Sequence, residues 1–344
     1  MTPDELLRLR RISRRRPVVV LASLALLLMG SLAVRVLLGG YTVTIPDFFA
    51  ILHGEQIPGA VGAKFIVLQV KLPRALLAGL AGLSLGCSGA IFQLLLRNPL
   101  ASPDIIGVNA TASLGGIAAL AFFGASGLGL SAGALIGAVA AVLLIFGLSV
   151  GGPGQRVGNR FVLIGLGISV LAISLTHYIL QRISIYSAAD AAIWLTGSVG
   201  QATWQRIGML SGVLLVLLPL LMLVHRNLHM MALGNDLAQG LGVPTGLTRW
   251  GCLCLAVVLA AFAVAATGPV AFVAFVAGPV ARMLTGGSHS LSISALVGAV
   301  VLVLADFVGG EMIPGGPLPA GVVTGVIGAP VLLALIAAAQ KERA

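Results

Sequence analysis

The sequence predicts an all-α integral membrane protein of about ten transmembrane helices, and three observations carry that prediction. Of its 344 residues, 58% are hydrophobic and only 9% are charged. That leaves too few polar groups to coat a water-soluble globule of this size. The mean hydropathy is +1.10, and apolar runs close to the roughly 20 residues needed to cross a bilayer recur along the chain. Glycine is abundant, at 46 residues, and aromatics reach only 5%, which suits helices that pack closely through small side chains.

The elements follow in order. Spans are expected near Val18–Leu38, Ala75–Leu96, Ile105–Phe123, Leu130–Val150 and Phe161–Leu180. A second set is expected near Ile207–Val224, Cys252–Thr267, Val270–Leu284, Ile293–Val308 and Gly321–Ala339. Gly268-Pro269, Gly278-Pro279 and Ala329-Pro330 break or border the later runs, because proline removes a helical donor. Residues 1–17 form a basic N-terminal segment, and residues 18–344 a single polytopic domain.

The net charge of +10 does not indicate nucleic-acid binding, because the arginines sit singly or in pairs at the ends of apolar runs. The exception is the cluster Arg8, Arg10, Arg11, Arg14, Arg15 and Arg16, which reads as a cytoplasmic anchor before the first span. Ser13-Arg14-Arg15 resembles an export signal, but the run after it is long for a signal core, so an uncleaved first span is expected. With the N-terminus inside, the inner segments also carry Arg97, Arg156, Arg160, Arg226, Arg249, Arg282, Lys341 and Arg343. The outer segments carry Arg35, Lys64, Lys71, Arg74, Arg182 and Arg206. This excess predicts both termini in the cytoplasm and an even number of crossings.

Several side chains carry bland expectations. Cys87, Cys252 and Cys254 lack metal spacing and read as buried small hydrophobes. Asp306 lies in an apolar run near the outer end of its span, where interfacial solvation accounts for it. His225 and His229, four residues apart, have no carboxylate between them and are not expected to hold a metal. No G-x-x-x-x-G-K-[ST] loop occurs, so no nucleotide cofactor is expected on this chain.

Two polar segments stand out. Arg97-Asn98-Pro99 is expected to end the second span, and Ser102-Pro103-Asp104 to start the next helix, with Ser102 as its cap. In the loop His225–Arg249, Asn235 or Asp236 is expected to cap a short helix with Leu237 and Leu241 on one face, stopped by Gly242 and Pro244. Such a helix suits a groove on another protein, and equally a lipid surface.

Beyond these local readings, a run of motifs resembles the FecCD-type permeases, the membrane subunits of binding-protein-dependent ABC importers for ferric siderophores, haem and cobalamin. The motifs are Lys71-Leu72-Pro73-Arg74, Ser88-Gly89-Ala90-Ile91-Phe92-Gln93, Arg97-Asn98-Pro99-Leu100-Ala101-Ser102-Pro103-Asp104 and Gly107-Val108-Asn109. They continue with Met231-Ala232-Leu233-Gly234, Leu241-Gly242-Val243, Gly268-Pro269-Val270-Ala271-Phe272, Leu318-Pro319-Ala320-Gly321 and Gly328-Ala329-Pro330. The resemblance implies a type II ABC importer permease fold with ten spans. It implies a second permease subunit, identical or homologous, a cytoplasmic ABC ATPase dimer and an extracytoplasmic substrate-binding protein.

It also assigns roles. Arg97, Asn98, Pro99, Leu100, Ala101, Ser102 and Pro103 match a cytoplasmic gate. Leu233, Gly234, Asn235, Asp236, Leu237, Leu241 and Gly242 match the segment that couples to the ATPase. Lys71 and Arg74 match positions that dock the binding protein, although snorkelling at a helix start explains them as well. Two departures are visible: Gly278-Pro279-Val280-Ala281 stands where many relatives have Pro-His before the arginine, and Gly310 stands where some have an arginine. A ferric siderophore is the expected cargo, in the cell (inner) membrane. Haem or cobalamin, or an ion-coupled secondary transporter, are the alternatives; the last would need more intramembrane carboxylates than Asp306.

Overall fold

The computed structural model describes residues 3–55, 62–149, 157–314 and 316–341, without side chains for 3–15, 157–159 and 335–341. Of the sequence expectations, Arg156 and Arg343 lie outside the described residues, as do the side chains of Arg8, Arg10, Arg11, Arg14, Arg15 and Lys341. The described residues form helices and no strand.

The helices are α1 (Pro3–Leu37), α2 (Ile45–Leu52), α3 (Ala63–Phe65), α4 (Leu72–Leu96), α5 (Val108–Phe123), α6 (Leu128–Ser149) and α7 (Val157–Leu180). After them come α8 (Ile185–Leu195), α9 (Trp204–Ala232), α10 (Asn235–Gly240), α11 (Thr245–Thr267), α12 (Val273–Thr285), α13 (Leu291–Phe307) and α14 (Ala320–Lys341). Seven helices among the described residues are long and apolar enough to cross a membrane, and four shorter apolar helices accompany them. The chain is a multi-pass membrane protein.

Sequence and structure differ at several boundaries. α1 continues through Pro17, so the limit between the basic segment and the membrane domain falls inside one helix. The second span begins earlier than expected, because α3 and a π-helical segment, Ile66–Lys71, run directly into α4. Two helices arise between the expected spans. α2 is capped by Thr44, which accepts from the Asp47 amide, and α8 by Ser184, which accepts from the Ser187 amide. Gly268-Pro269 does break the chain between α11 and α12, whereas Pro279 and Pro330 are held inside α12 and α14.

The span Ala63–Leu96 is the axis of the bundle: 83% of its apolar window is buried, against 6% for Arg16–Leu37 at the periphery. Its small residues explain why. A Cβ at Gly82 would collide with the Gly298 carbonyl, and one at Gly298 with that of Gly82, so α4 and α13 meet backbone to backbone. On another side, Ser84 donates to the Leu259 carbonyl at 2.8 Å and Ser88 to that of Ala256 at 2.6 Å. Gln93 donates to the Phe275 carbonyl at 3.0 Å. The Ser88–Gln93 motif is thus the seam that locks α4 to α11 and α12. Gly278 belongs to that seam, since a Cβ there would occupy the position of the Gln93 Oε1. The departure at Gly278-Pro279 leaves α12 continuous.

Candidate functional site

Two polar clusters lie at opposite ends of α4, whose 25 residues span about 37 Å. One surrounds the turn after Leu96, the other the start of the helix.

At the first end, α4 stops because Arg97 turns left-handed, with φ 49°. That region costs a bulky L-residue about 1–2 kcal/mol, and glycine is the usual occupant of such a cap. Arg97 and Phe272 are the two non-glycine residues with positive φ among the described residues. The Asn98 side chain closes the turn, its Oδ1 accepting from the Leu100 amide at 2.9 Å, and the Ala101 amide donates to the Asn98 carbonyl at 3.0 Å. Ala101, Ser102 and Pro103 are buried.

The expected helix start at Ser102 is not formed. Residues 103–107 make a turn in which the Gly107 amide donates to the Asp104 carbonyl and the Val108 amide to that of Pro103. α5 begins only at Val108, with Gly107 at its cap position at φ 93°, where a Cβ would strike the Ser169 hydroxyl. The helix start falls five residues later than expected, where Gly107, with no Cβ, lets the backbone pass close to the Ser169 hydroxyl. Asp104 Oδ1 is buried without a hydrogen-bond partner among the described residues, and desolvation pushes the carboxyl up to about 7.

The loop after α9 comes to the same place. Arg97 Nη2 donates to the Met231 carbonyl at 2.9 Å and to Asn235 Oδ1 at 3.2 Å. Arg249 Nη2, from the first turns of α11, donates to the same Asn235 oxygen at 2.9 Å. Asn235 therefore does not cap α10, and neither does Asp236. Gly234 occupies the cap position at φ 135°, because the Asn235 amide group is engaged by two arginines. The expected apolar face is present: Leu233, Leu237 and Leu241 are 67%, 62% and 62% exposed.

The turn and the loop line one cleft of about 900 Å³, shared by Arg97, Asn98, Leu100, Asn235, Leu237 and Arg249. All seven residues from Arg97 to Pro103, except Pro99 and Pro103, border it, as do Leu233, Gly234, Asn235, Asp236 and Leu237. Leu241 and Gly242 lie beyond its wall. Arg249 was not singled out by the sequence. The available signal was a charge at the head of an apolar run, fourteen residues after Asn235.

At the other end, Asp306 is fully buried, which overturns the expectation of interfacial solvation. Arg35 Nε donates to its Oδ2 at 2.7 Å, and Arg74 grips both oxygens through Nε and Nη2 at 2.9–3.0 Å. Glu311 accepts from Arg35 Nη1 at 3.4 Å and from the Gly40 amide at 2.8 Å. Two cations and two carboxylates join α1, α4, α13 and the π-helical segment Val308–Met312. The two π-helical segments of the described residues flank this cluster, one before α4 and one after α13; such widened turns often sit at functional positions.

Lys71 is buried, its ammonium donating to the Leu38 and Tyr41 carbonyls. Its charge is engaged inside the chain rather than offered to a partner. Arg74 is 19% exposed, and its Nη1 makes no hydrogen bond among the described residues. At Gly310 a Cβ would lie 3.2 Å from Arg74 Nη2, so an arginine there would crowd the one already present.

The His225 and His229 rings lie 4.2 Å apart between centroids, tilted by 48°, but both nitrogens of His229 face carbonyl oxygens, those of His225 and His289. No group of three or more metal-ligating side chains occurs among the described residues. Cys87 and Cys252 are buried as expected, whereas Cys254 is exposed.

Comparison with known proteins gives consistent findings. The model of the FecCD transport family matches residues 24–338. The ferric enterobactin transport system permease protein FepG of Escherichia coli (strain K12) is 33% identical over 309 residues, covering 89% of this chain and 91% of that protein. The achromobactin transport system permease protein CbrC of Dickeya dadantii (strain 3937) is 36% identical over 334 residues, covering 95% and 94%. A solved metal-chelate type ABC transporter, in an inward-facing conformation, superposes with a TM-score of 0.80 at 28% identity, covering 92% of this chain and 98% of that one.

Proposed function

The chain belongs to the FecCD transport family, and from that premise we propose that it is the permease subunit of an inner-membrane ABC importer that moves a ferric siderophore into the cytoplasm. The observation that carries this reading is the meeting of the Arg97–Pro103 turn and the Leu233–Leu237 segment on one cleft. Contact between a gate and a coupling element gives ATP hydrolysis elsewhere a direct mechanical route to the pathway.

In this reading a partner ATPase dimer receives the exposed face of Leu233, Leu237 and Leu241, and hydrolyses ATP that this chain does not bind. A second permease subunit completes the pathway. An exported binding protein delivers the chelate at the opposite end. There Arg74, fixed by Asp306 with Nη1 unengaged, is the group suited to meet a carboxylate of that protein. Lys71 serves instead to hold the α1–α2 connection. The cargo class follows the named cargoes of the relatives, enterobactin and achromobactin.

The test is uptake. A strain lacking this gene is supplied with single iron sources: ferric siderophores, ferric citrate, haem and free iron. Loss of growth confined to one or more ferric chelates, restored by the gene, is expected. Normal growth on every ferric chelate, with failure on haem, would overturn the cargo assignment.

A further inference from the structure

We propose that Arg97 and Arg249, held to either side of Asn235 Oδ1, form an oxyanion site in the wall of the inner cleft, which receives carboxylate groups of the ferric chelate as it leaves the pathway. The proposal rests on the transport function given above and names the residues that would meet the cargo on the inner side.

Two guanidinium groups share one neutral acceptor. Their Nη2 atoms lie 3.2 and 2.9 Å from the same amide oxygen, so like charges are held within about 6 Å of each other. No carboxylate within the described residues forms an ion pair with either; the ion pairs present there belong to Arg35 and Arg74. Asp236 also borders the cleft but lies beyond ion-pairing distance of both. Two cations gathered around one neutral acceptor set up a positive field that attracts an anion.

Donor capacity points the same way. A guanidinium has five N–H donors in a fixed fork. Arg97 uses Nη2 on Met231 and Asn235, and Arg249 uses Nη2 on Asn235. The Nε and Nη1 groups of both make no hydrogen bond among the described residues. Both N–H groups of the Arg97 Nη2 are taken, so Arg97 keeps its Nε and Nη1 as separate donors, while Arg249, with one Nη2 hydrogen used, keeps an edge of the kind that binds a carboxylate in paired fashion. The backbone strain at Arg97 agrees: glycine would end α4 at lower cost, yet an arginine stands there.

The surroundings fit a chelate. The cleft of about 900 Å³ falls in the range of small-molecule sites, about 300–1,000 Å³. Leu100, Phe161, Leu237 and Leu253 supply apolar wall beside the arginines. A site of this kind lowers the barrier to leaving the narrow turn while holding the ligand loosely enough to release it.

The experiment is calorimetric titration of the full chain in lipid nanodiscs with citrate and, separately, with inorganic phosphate. Saturable citrate binding is expected, at least tenfold tighter than phosphate, because two separated guanidinium groups can meet two carboxylates of one molecule. Asn235→Asp is the decisive variant. It keeps the shape and both hydrogen bonds, and it places a carboxylate between the arginines where the ligand should bind. Citrate affinity should fall at least tenfold in Asn235→Asp and in Arg249→Gln; if Arg249→Gln does not assemble, Asn235→Asp decides alone. Citrate affinity in Asn235→Asp within twofold of the original, no saturable citrate heat, or phosphate binding tighter than citrate would each overturn the site. Uptake by the unmodified chain is measured in parallel cells. If no ferric chelate enters, the transport reading fails; if one enters and Asn235→Asp binds citrate unchanged, only the site fails.

Discussion

Arg35 and Asp306 are 271 residues apart in the chain and meet through a 2.7 Å hydrogen bond between fully buried groups. The pair fastens the peripheral first helix to α13. Arg74 makes it a three-way junction with the central helix. In a bilayer each of these charges would be costly alone, so the junction is stable only as a set.

Removing Asp306 should therefore cost more than removing either arginine. Asp306→Asn leaves Arg35 buried with Glu311 at 3.4 Å as its remaining ionic partner, a loss of about 3–5 kcal/mol. Arg74→Gln should cost less, since Arg74 is partly exposed and Asp306 keeps Arg35. Thermal unfolding of the purified chain in lipid checks the order. Equal midpoints for Asp306→Asn and the original would show that the junction is not structural.

Much of this architecture was legible in the sequence because its physics is local. Apolar run length located the spans, and the basic residues at their ends proposed an orientation. The Arg97–Pro103 turn was visible as a proline-bounded polar break. What stayed hidden depends on contacts across the chain. Nothing near Asp306 announces Arg35, and nothing near Asn235 announces that two arginines will engage its side chain. The cap at Ser102 rests on sequence neighbours alone, whereas the cap position falls at Gly107, where the approach of Ser169 from another helix leaves no room for a Cβ. α2 and α8 had signals, Thr44 with Asp47 and Ser184 with Ser187, but both fall between the expected spans and are too short to cross a bilayer.

Asp104 gives the turn between α4 and α5 a dependence on pH. Its carboxyl is raised to about 7 from an ordinary value near 4, so the folded state binds a proton that the unfolded state has released. Stability should fall as pH rises from about 4 to about 7, and then level off. Asp104→Asn removes that slope and should raise the unfolding midpoint above pH 7 by several degrees. A melting series from pH 5 to 8 decides. Parallel curves for both proteins would mean that Asp104 is solvated in the folded state.

Leu237 is the test of coupling. It is 62% exposed beside Leu233 and Leu241, and a charge there would have to be buried by any partner that covers the face. Leu237→Glu should leave membrane insertion unchanged, while uptake falls at least tenfold and ATP hydrolysis by the assembled transporter no longer responds to cargo. Unimpaired uptake at equal expression would place the ATPase elsewhere.

At the opposite end, Lys71 and Arg74 should separate. Arg74→Glu should weaken binding-protein docking, and the original interaction should weaken as salt rises from low to about 0.5 M, because exposed charge pairs are screened. Lys71→Gln should lower stability, by freeing the carbonyls of Leu38 and Tyr41, while leaving docking unchanged. Docking affinity measured across a salt series distinguishes the two. A loss of docking with Lys71→Gln and none with Arg74→Glu would reverse the assignment.

The turn between α4 and α5 yields the most direct measurement. If Arg97–Pro103 only joined α4 to α5, changes that preserve its backbone would leave transport intact. If it is a gate, Leu100, which lines the cleft beside Asn98, must approach the matching residue of the second permease subunit when the pathway is closed. Pro99 and Pro103 stiffen the turn, so the approach is a movement of the whole segment rather than of one side chain. Leu100→Cys in a chain lacking Cys87, Cys252 and Cys254, assembled with its ATPase in lipid, should form a disulfide with its counterpart in one nucleotide state. Exchange of nucleotide should change the yield severalfold. Because Leu100 is held by the Asn98 side chain through its own amide, Asn98→Ala should loosen the turn and flatten the nucleotide dependence without abolishing assembly. A correctly assembled transporter that gives no cross-link in any nucleotide state would reduce the turn to a connection between two helices.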